Sequence, residues 1–378
     1  MAEPLLSPTQ DARSDTWTHR EIRQQPDTLR ATQALLMEQR GAIAAFLEPL
    51  LARRDLRIIM TGAGTSAFIG DCLAPSLSQA LGRPVEAIAT TDIVSSPHLY
   101  VRRDVPTLLV SFGRSGNSPE SLAAIDLADS LVEDMFHLIL TCNGDGRLAS
   151  RATPRALVLT LPEATHDRAF AMTSSFSAML LAALAIFGGI TAMDRRIAAI
   201  TAAVADQLDR APPVMAQLAQ SRFERVVYLG SGAFKGLARE AALKLMELSD
   251  GAVVTAYDTA LGFRHGPKTI INARTLVVMF MSNDQLTGQY DRDMLAELHR
   301  DGRCGKIIAI AAQPVAGDAL PVAGMADAQD CDLLFAYVVP AQLLGLAIAQ
   351  ALQLNPDQPN RNGTVNRVVQ GVQIHAMP

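Results

Sequence analysis

The stretch RIIMTGAGTSAFIGD, residues 57–71, decides the fold of this chain. It begins with a short apolar run, passes through a glycine-rich turn and continues with small and apolar residues in a helical pattern. The stretch RVVYLGSGAFKGLAR, residues 225–239, repeats that order in the second half. A strand, a glycine turn and a helix in this order are typical of an α/β unit, so the repeat predicts two related domains.

Two further pairs of segments support the repeat. TLLVSFGRS begins at Thr107 and TLVVMFMSN at Thr275, with the same separation as the first pair, and LILTCNG from Leu138 matches IIAIAAQ from Ile307 at nearly that separation. Fully apolar runs such as TLLVSF are typical of parallel strands buried on both faces. We therefore predict an α/β protein with two tandem domains, each a doubly wound, mostly parallel sheet flanked by helices.

The repeat also divides the chain into five segments. We predict an N-terminal helical segment (1–50), a first domain (51–193), a helical linker (194–222), a second domain (223–355) and a C-terminal tail (356–378). The linker contains Pro212 and Pro213, which we expect to interrupt its helix. The most apolar long run, residues 178–193, is short for a membrane span and is predicted to be a buried helix.

Composition excludes several classes of protein. The chain has 378 residues, of which 49% are hydrophobic and 19% charged, as in globular proteins. A net charge of −5 gives no domain-wide basic surface, so we expect no nucleic-acid partner. The cysteines form no CxxC pair and no metal-ligand cluster, which favours buried thiols and a protein without metal or cofactor. With no signal-peptide pattern and no membrane partner expected, we predict a cytoplasmic protein.

Two serine-rich loops follow predicted strands of the first half. They are GAGTS, residues 62–66, and GRSGNS, residues 113–118. Loops after parallel strands meet at the carboxyl edge of the sheet, where such folds bind ligands. Helix N-termini and serine hydroxyls suit an anion, and glycine allows it to approach the backbone closely. Each loop alone is also consistent with an ordinary strand–helix turn, but together they favour a phosphate site.

The second half keeps the strands and loses the serines. Its counterpart of GRSGNS is MSNDQL, in which Asp284 would repel an anion. Its distinctive residues are Glu240, Lys244 and Glu247, spaced i, i+4 and i+7 on a predicted helix, and His265 in the loop GFRHGP. A salt-bridged solvent face and a structural histidine are the plain alternatives. Apolar neighbours and the phosphate site favour a partly buried glutamate and an acid–base histidine.

Motifs along nearly the whole chain resemble those of the sugar isomerase (SIS) domain proteins. They are EIRQQP, TGAGTSAFIGD, SFGRSGNSPES, THDRAFAMTSS, YLGSG, REAALKLMEL, GFRHGPK and GTVNRVVQGVQIH. The set is most similar to the bacterial galactosamine-6-phosphate deaminases, long labelled tagatose-6-phosphate ketose/aldose isomerases. This resemblance implies two SIS domains and an enzyme that converts an amino-sugar 6-phosphate, foremost galactosamine 6-phosphate, to tagatose 6-phosphate and ammonia.

The same fold builds the isomerase half of glucosamine-6-phosphate synthase, and its motifs imply roles for individual residues. The positions that match the phosphate-binding loops are Gly64, Thr65, Ser66, Arg114, Ser115 and Ser118. The positions that match the glutamate moving a proton between C1 and C2, its neighbouring lysine and the ring-opening histidine are Glu247, Lys244 and His265.

The chain departs from the synthase in the GRSGNS loop and in its tail. Gly113 and Arg114 stand where the synthase has serine and glutamine, and the tail has Asn366 and Arg367 but no lysine. Arginine stays protonated, so we expect no imine with the tail. A simple aldose–ketose isomerase and a non-catalytic phosphosugar-sensing module stay open as alternatives. Because SIS proteins often complete their sites across a dimer, the resemblance implies a homodimer or a dimer of dimers.

Overall fold

A computed structural model describes residues 16–377, which form two parallel sheets with helices packed on their faces. The strands are β1 (Arg57–Thr61), β2 (Val85–Ala87), β3 (Thr107–Gly113), β4 (Met135–Thr141), β5 (Ala156–Thr160), β6 (Arg225–Gly230), β7 (Val254–Asp258), β8 (Thr275–Phe280), β9 (Lys306–Ala311) and β10 (Ala319–Pro321). The helices are α1 (Trp17–Arg23), α2 (Gln25–Leu51), α3 (Thr65–Leu81), α4 (Thr90–Ser95), α5 (Pro97–Tyr100), α6 (Pro119–Leu131), α7 (Ser174–Gly188), α8 (Ile190–Asp194), α9 (Ile197–Gln220), α10 (Ala233–Leu248), α11 (Gln285–Asp301) and α12 (Asp330–Ala351).

The two sheets share one topology. The first has the strand order β2-β1-β3-β4-β5 and the second β10-β9-β8-β6-β7. Read from its other end, the second sheet has the order β7-β6-β8-β9-β10, so strands numbered within each half give the order 2-1-3-4-5 in both sheets. The registers also match, because Arg57 lies opposite Thr107 in the first sheet and Arg225 opposite Thr275 in the second. The predicted tandem α/β fold is confirmed. In each sheet the connections change direction between the first and third strands of the half, where doubly wound sheets bind ligands.

Strand β3 shows why these sheets are covered on both faces. All seven of its residues are buried. Leu108 and Val110 belong to the large core that also contains α3 and α7, whereas Leu109 packs in a smaller core with residues of α6. Successive side chains of a strand point to opposite faces, so an entirely apolar run requires a helix layer on each side.

Helices α3 and α10 join the two halves. They pack closely at Gly236, where an added Cβ would lie 2.5 Å from the backbone nitrogen of Cys72. Arg239 on α10 forms an ion pair with Asp71 on α3 at 2.8 Å. The helix that begins in the GAGTS loop therefore lies against the helix that carries Glu247.

Helix α9 continues through Pro212 and Pro213, so the predicted interruption is wrong. A proline at position 212 cannot donate to the carbonyl of Leu208. The guanidinium of Arg23 donates to that carbonyl instead, at 3.3 Å. Packing of the buried face of α9 against α12 stabilises the helix further. The boundaries of the five predicted segments stay a prediction.

Two apolar helices lie in the core. Helix α7 is buried over nearly its whole length, in line with the prediction for residues 178–193, although the helix ends at Gly188 and α8 begins at Ile190. Helix α12 is long and apolar enough to cross a membrane, but 94% of its most apolar window is buried within the protein. It is therefore placed as a core helix, and a cytoplasmic location stays a prediction.

Candidate active site

The two serine loops of the first half meet in one pocket. It has a volume of about 100 Å³ and lies beyond the carboxyl ends of β1 and β3. Ser66, Arg114, Ser115 and Ser118, all predicted from the sequence, are among its lining residues. Gly64 and Thr65 lie beside it, at the start of α3. The structure thus brings the predicted loops together at the switch point of the first sheet.

Glycines give these loops their shape. A Cβ at Gly62 would lie 2.6 Å from backbone and side-chain atoms of Ser66, so the tight turn after β1 requires glycine. Gly64 and Gly116 have φ values of +56° and +65°, a left-handed backbone that glycine adopts without strain. Each loop leads into a helix of more than three turns, so both helices begin at the pocket.

The three hydroxyl groups differ in their present partners. Ser115 accepts the amide N–H of Asn117 at 3.3 Å and keeps its own hydrogen available for an acceptor. Ser118 donates to a carboxylate oxygen of Glu120 at 2.7 Å, and Ser66 lies 3.9 Å from the sulfur of Met172. A bound anion would compete directly with Glu120 for the Ser118 hydroxyl, whereas Ser115 needs no rearrangement.

Arg114 lines the pocket but is almost completely buried. It is 6% exposed, and its guanidinium donates to the carbonyls of Ala169, Phe170 and Arg367 at 3.1, 2.9 and 2.6 Å. Burial, and then the positive charge of Arg367, lower its pKa to about 10, while Asp167 and Glu247 act in the opposite direction. Arg114 therefore contributes positive charge to the pocket, and the Glu247 carboxylate lies within its electrostatic reach.

The charged stripe of α10 is buried. The side chain of Lys244 is 1% exposed, pairs directly with Glu247 and lies 3.7 Å from Glu240. Burial lowers the pKa of Lys244, but Glu247 and Glu240 outweigh burial and raise it above its ordinary value. Burial raises the pKa of Glu240 to about 8 against the opposing charge of Lys244. A solvated salt-bridged face is therefore excluded, and the 22%-exposed Glu247 is the carboxylate of the stripe that a ligand can reach.

Electrostatics connect this stripe to the serine pocket. Beside the dominant effect of burial, the Glu247 carboxylate acts to raise the pKa of the pocket residue Arg114, and the charge of Arg114 acts to lower the pKa of Lys244. Ala171, next to the pocket residue Met172, also packs with Leu248, next to Glu247. The first half thus supplies the serine loops, and the second half supplies a lysine–glutamate pair within electrostatic reach of Arg114.

His265 lies apart from this pocket within one chain. It is exposed and follows the short 3₁₀ turn Gly262–Arg264 after β7. Its neighbours Arg264 and Lys268 both pair with Glu297 on α11. Within one chain, His265 is not among the residues that line the serine pocket.

The equivalent loops of the second half hold carboxylates of the protein itself. Asp291 is 1% exposed and accepts the Ser231 hydroxyl at 2.8 Å and the Ser282 amide at 3.0 Å. Asp330 accepts the Ser282 hydroxyl at 2.5 Å and the Asn283 amide at 2.9 Å. Asp284, singled out in the sequence, caps helix α11. At the carboxyl edge of the second sheet, these hydroxyl and amide donors are therefore already hydrogen-bonded to carboxylates of the protein.

Sequence reasoning missed several residues around the pocket. Met172, Val368 and Val369 line it, while Glu21 and the buried Asp167 support the neighbouring loop. The signals were present in the motifs EIRQQP, THDRAFAMTSS and GTVNRVVQG, which carried the resemblance without a stated role. Across residues 16–377, no group of three or more His, Cys, Asp or Glu side chains is arranged to hold a metal ion.

These features define an α/β protein with a serine-lined pocket at the switch point of its first sheet and a buried charge pair in its second half. A family model described as the SIS domain matches residues 50–188, which contain both serine loops. Relatives extend that match to the whole chain. A Shewanella sp. (strain ANA-3) protein named D-galactosamine-6-phosphate deaminase AgaS is 44% identical over 95% of this chain and 92% of its own length.

A protein of the same name from Escherichia coli O157:H7 is 43% identical over 96% of this chain and 97% of its own length. The crystal structure of tagatose-6-phosphate ketose/aldose isomerase from Escherichia coli has a TM-score of 0.87 and 40% identity, covering 98% of this chain and 99% of that one. The chain therefore belongs to the SIS-domain family.

Proposed function

We propose that this protein is a deaminating isomerase that converts galactosamine 6-phosphate to tagatose 6-phosphate and ammonia. One observation carries the proposal: the buried Lys244–Glu247 pair lies within electrostatic reach of Arg114, which lines the serine pocket. The names of the full-length relatives support the substrate and the loss of ammonia. A phosphorylated amino sugar suits both parts of the site, because the serine loops can bind its phosphate and the Lys244–Glu247 pair can act on its sugar carbons.

The phosphate anchors the substrate in this mechanism. Ser66, Ser115 and Ser118 donate to the phosphate oxygens, and the buried charge of Arg114 attracts the anion. Hydrogen bonds to a charged group contribute about 1.5–3 kcal/mol each. The anchor orients the sugar carbons toward Glu247, and such orientation supplies part of the rate enhancement.

Glu247 transfers the proton between carbons. In the open-chain aldehyde it removes the C2 proton, and the electrons of that bond form the C1=C2 bond of an enolamine. The π electrons of the C1 carbonyl move to O1, which takes a proton from water. Return of the proton from Glu247 to C1 gives a protonated C2 imine, to which water adds before ammonia leaves and a C2 ketone remains. Lys244 donates to the carboxylate and orients it between the two transfers.

Ring opening is assigned to His265 of a second copy of the chain. The exposure of His265 and its absence from the pocket lining of its own chain support this assignment, as does the implied homodimer. The test mixes two inactive variants, Glu247→Gln and His265→Asn. Mixed dimers should regain activity because one of their two sites has both native residues, whereas variants of one shared site within a chain would not complement each other.

An ammonia-release assay tests the function. Purified protein is incubated with galactosamine 6-phosphate, glucosamine 6-phosphate and tagatose 6-phosphate, and both ammonia and ketose are measured. We expect stoichiometric ammonia and ketose from the galacto substrate. Aldose–ketose conversion without ammonia would establish the simple isomerase instead, and tight binding without turnover of any sugar would establish the sensing module.

A further inference from the structure

The loop of residues 167–170 beside the pocket has its polar backbone groups bound on both sides. The Glu21 carboxylate accepts the amide N–H groups of Arg168 and Ala169. The carbonyl of Asp167 accepts the guanidinium of Arg367, and the carbonyls of Ala169 and Phe170 accept that of Arg114. Two arginines thus bind neutral carbonyls of one loop instead of forming ion pairs.

The same two arginines hold the C-terminal tail. Arg114 donates to the backbone carbonyl of Arg367 at 2.6 Å, and Arg367 donates through Nε to the Asp167 carbonyl at 3.1 Å. Beyond this point, residues 368–377 make no hydrogen bond to another described residue. Val368 and Val369 nevertheless line the serine pocket. The tail wall of the pocket therefore depends on the two arginine contacts.

Two positive charges lie close together in this part of the site. Burial and then the charge of Arg367 lower the pKa of Arg114, so the two cations repel each other. Burial, followed by the charge of Asp167, raises the pKa of Glu21 to about 8, so Glu21 offsets little of the arginine charge at neutral pH. A phosphate group in the serine pocket would reduce this repulsion and stabilise the docked tail.

We propose that Arg367 is a positioning residue for the phosphosugar site and that Arg114 couples it to the phosphate, so that the bound anion and the docked tail stabilise each other. This inference rests on the proposed function for the identity of the sugar, but the coupling itself requires only an anion. Because coupling between two binding events is reciprocal, loss of the tail contact weakens phosphate binding as much as phosphate strengthens the tail contact.

Hydrogen–deuterium exchange of the full chain tests the coupling with inorganic phosphate as the probe. In the parent protein, excess phosphate should slow exchange in residues 365–371 and in the loop of residues 113–118. In Arg367→Ala, phosphate should protect only the serine loop. Arg361→Ala is the matched control, because Arg361 lies in the same tail but donates to the Leu352 carbonyl, away from the pocket. It should behave as the parent protein does.

Kinetics provide the second measurement. Arg367→Ala should raise KM for the phosphosugar by about tenfold or more, as expected when hydrogen bonds from a charged donor are lost, with a smaller change in kcat. Arg367→Lys keeps the charge and one donor and should recover part of the loss. The proposal is overturned if phosphate leaves the parent tail unprotected, or if it protects the tail equally in Arg367→Ala. Absence of ammonia release by the parent would instead contradict the proposed function, since the exchange experiment needs no turnover.

Discussion

Replacing Glu247 with glutamine separates proton transfer from binding and folding. The substitution keeps the size and hydrogen-bonding capacity of the side chain and removes its charge. It leaves the ammonium of Lys244, 1% exposed, with the Glu240 carboxyl group at 3.7 Å, whose pKa burial raises to about 8. Breaking a fully buried ion pair costs about 3–5 kcal/mol. Because Glu247 is 22% exposed and the amide oxygen of a glutamine can still accept from Lys244, we expect a smaller loss of stability, about 1–3 kcal/mol.

The effect on catalysis should be larger than the effect on binding. The serine loops are unchanged in Glu247→Gln, so KM should stay within a few-fold of the parent value. Loss of the general base should lower kcat by about a hundredfold or more. The decisive assay follows exchange of the substrate C2 proton with deuterated solvent by NMR, because exchange reports removal of that proton directly.

The control for this variant is Glu86→Gln. It removes an equal charge from a partly buried carboxylate that pairs with Arg57 on strand β1. That variant should retain the parent rates of exchange and turnover. If Glu247→Gln exchanges the C2 proton at the parent rate, Glu247 is not the base and its pair with Lys244 is structural.

Three further predictions concern the anchor, the absence of a metal and pH. Ser115→Ala should raise KM for the phosphosugar by about tenfold while kcat changes little, and an unchanged KM in steady-state kinetics would remove Ser115 from the anchor. Turnover should be unaffected by EDTA; activity that is lost in EDTA and restored by one divalent ion would contradict the metal-free mechanism. The pKa of Glu240 is raised from 4.5 to about 8, mainly by burial, so the folded state retains a proton that the unfolded state releases between those values. Its contribution to stability is therefore complete below about pH 4.5 and is lost as the pH rises through 8, and Glu240→Gln should flatten the fall in melting temperature across that range.

The sequence predicted the architecture because its signals are local and repeated. A strand such as TLLVSF shows its burial in its own composition, and the glycine turns recur at a constant separation in both halves. The meeting of Ser66 with Ser115 also followed from general topology, since loops after neighbouring parallel strands share one edge. These predictions needed no knowledge of long-range side-chain contacts.

The features that the sequence did not predict correctly depend on contacts between residues far apart in the chain. Helix α9 is continuous in a setting that its own sequence does not show: Arg23, far away in sequence, donates to the carbonyl that Pro212 leaves free, and the helix packs on α12. The direction of the Arg114 side chain depends on carbonyls of the 169–170 loop and of the tail. The site of action of His265 depends on a second chain in our proposal. Each is set by a tertiary or quaternary contact that no local pattern encodes.

The carboxylates that fill the second carboxyl edge bear on how a duplicated protein divides its functions. The second copy did not lose its hydroxyl and amide donors; Asp291 and Asp330 act as built-in counter-ligands for them. An external anion is excluded there by prior occupancy, and the same contacts tie α11 and α12 to the sheet. The edge that we propose as a binding site in the first half is, in the second half, a set of internal hydrogen bonds that stabilises the fold. A return to ligand binding would therefore require removal of an internal acid before any new donor was added.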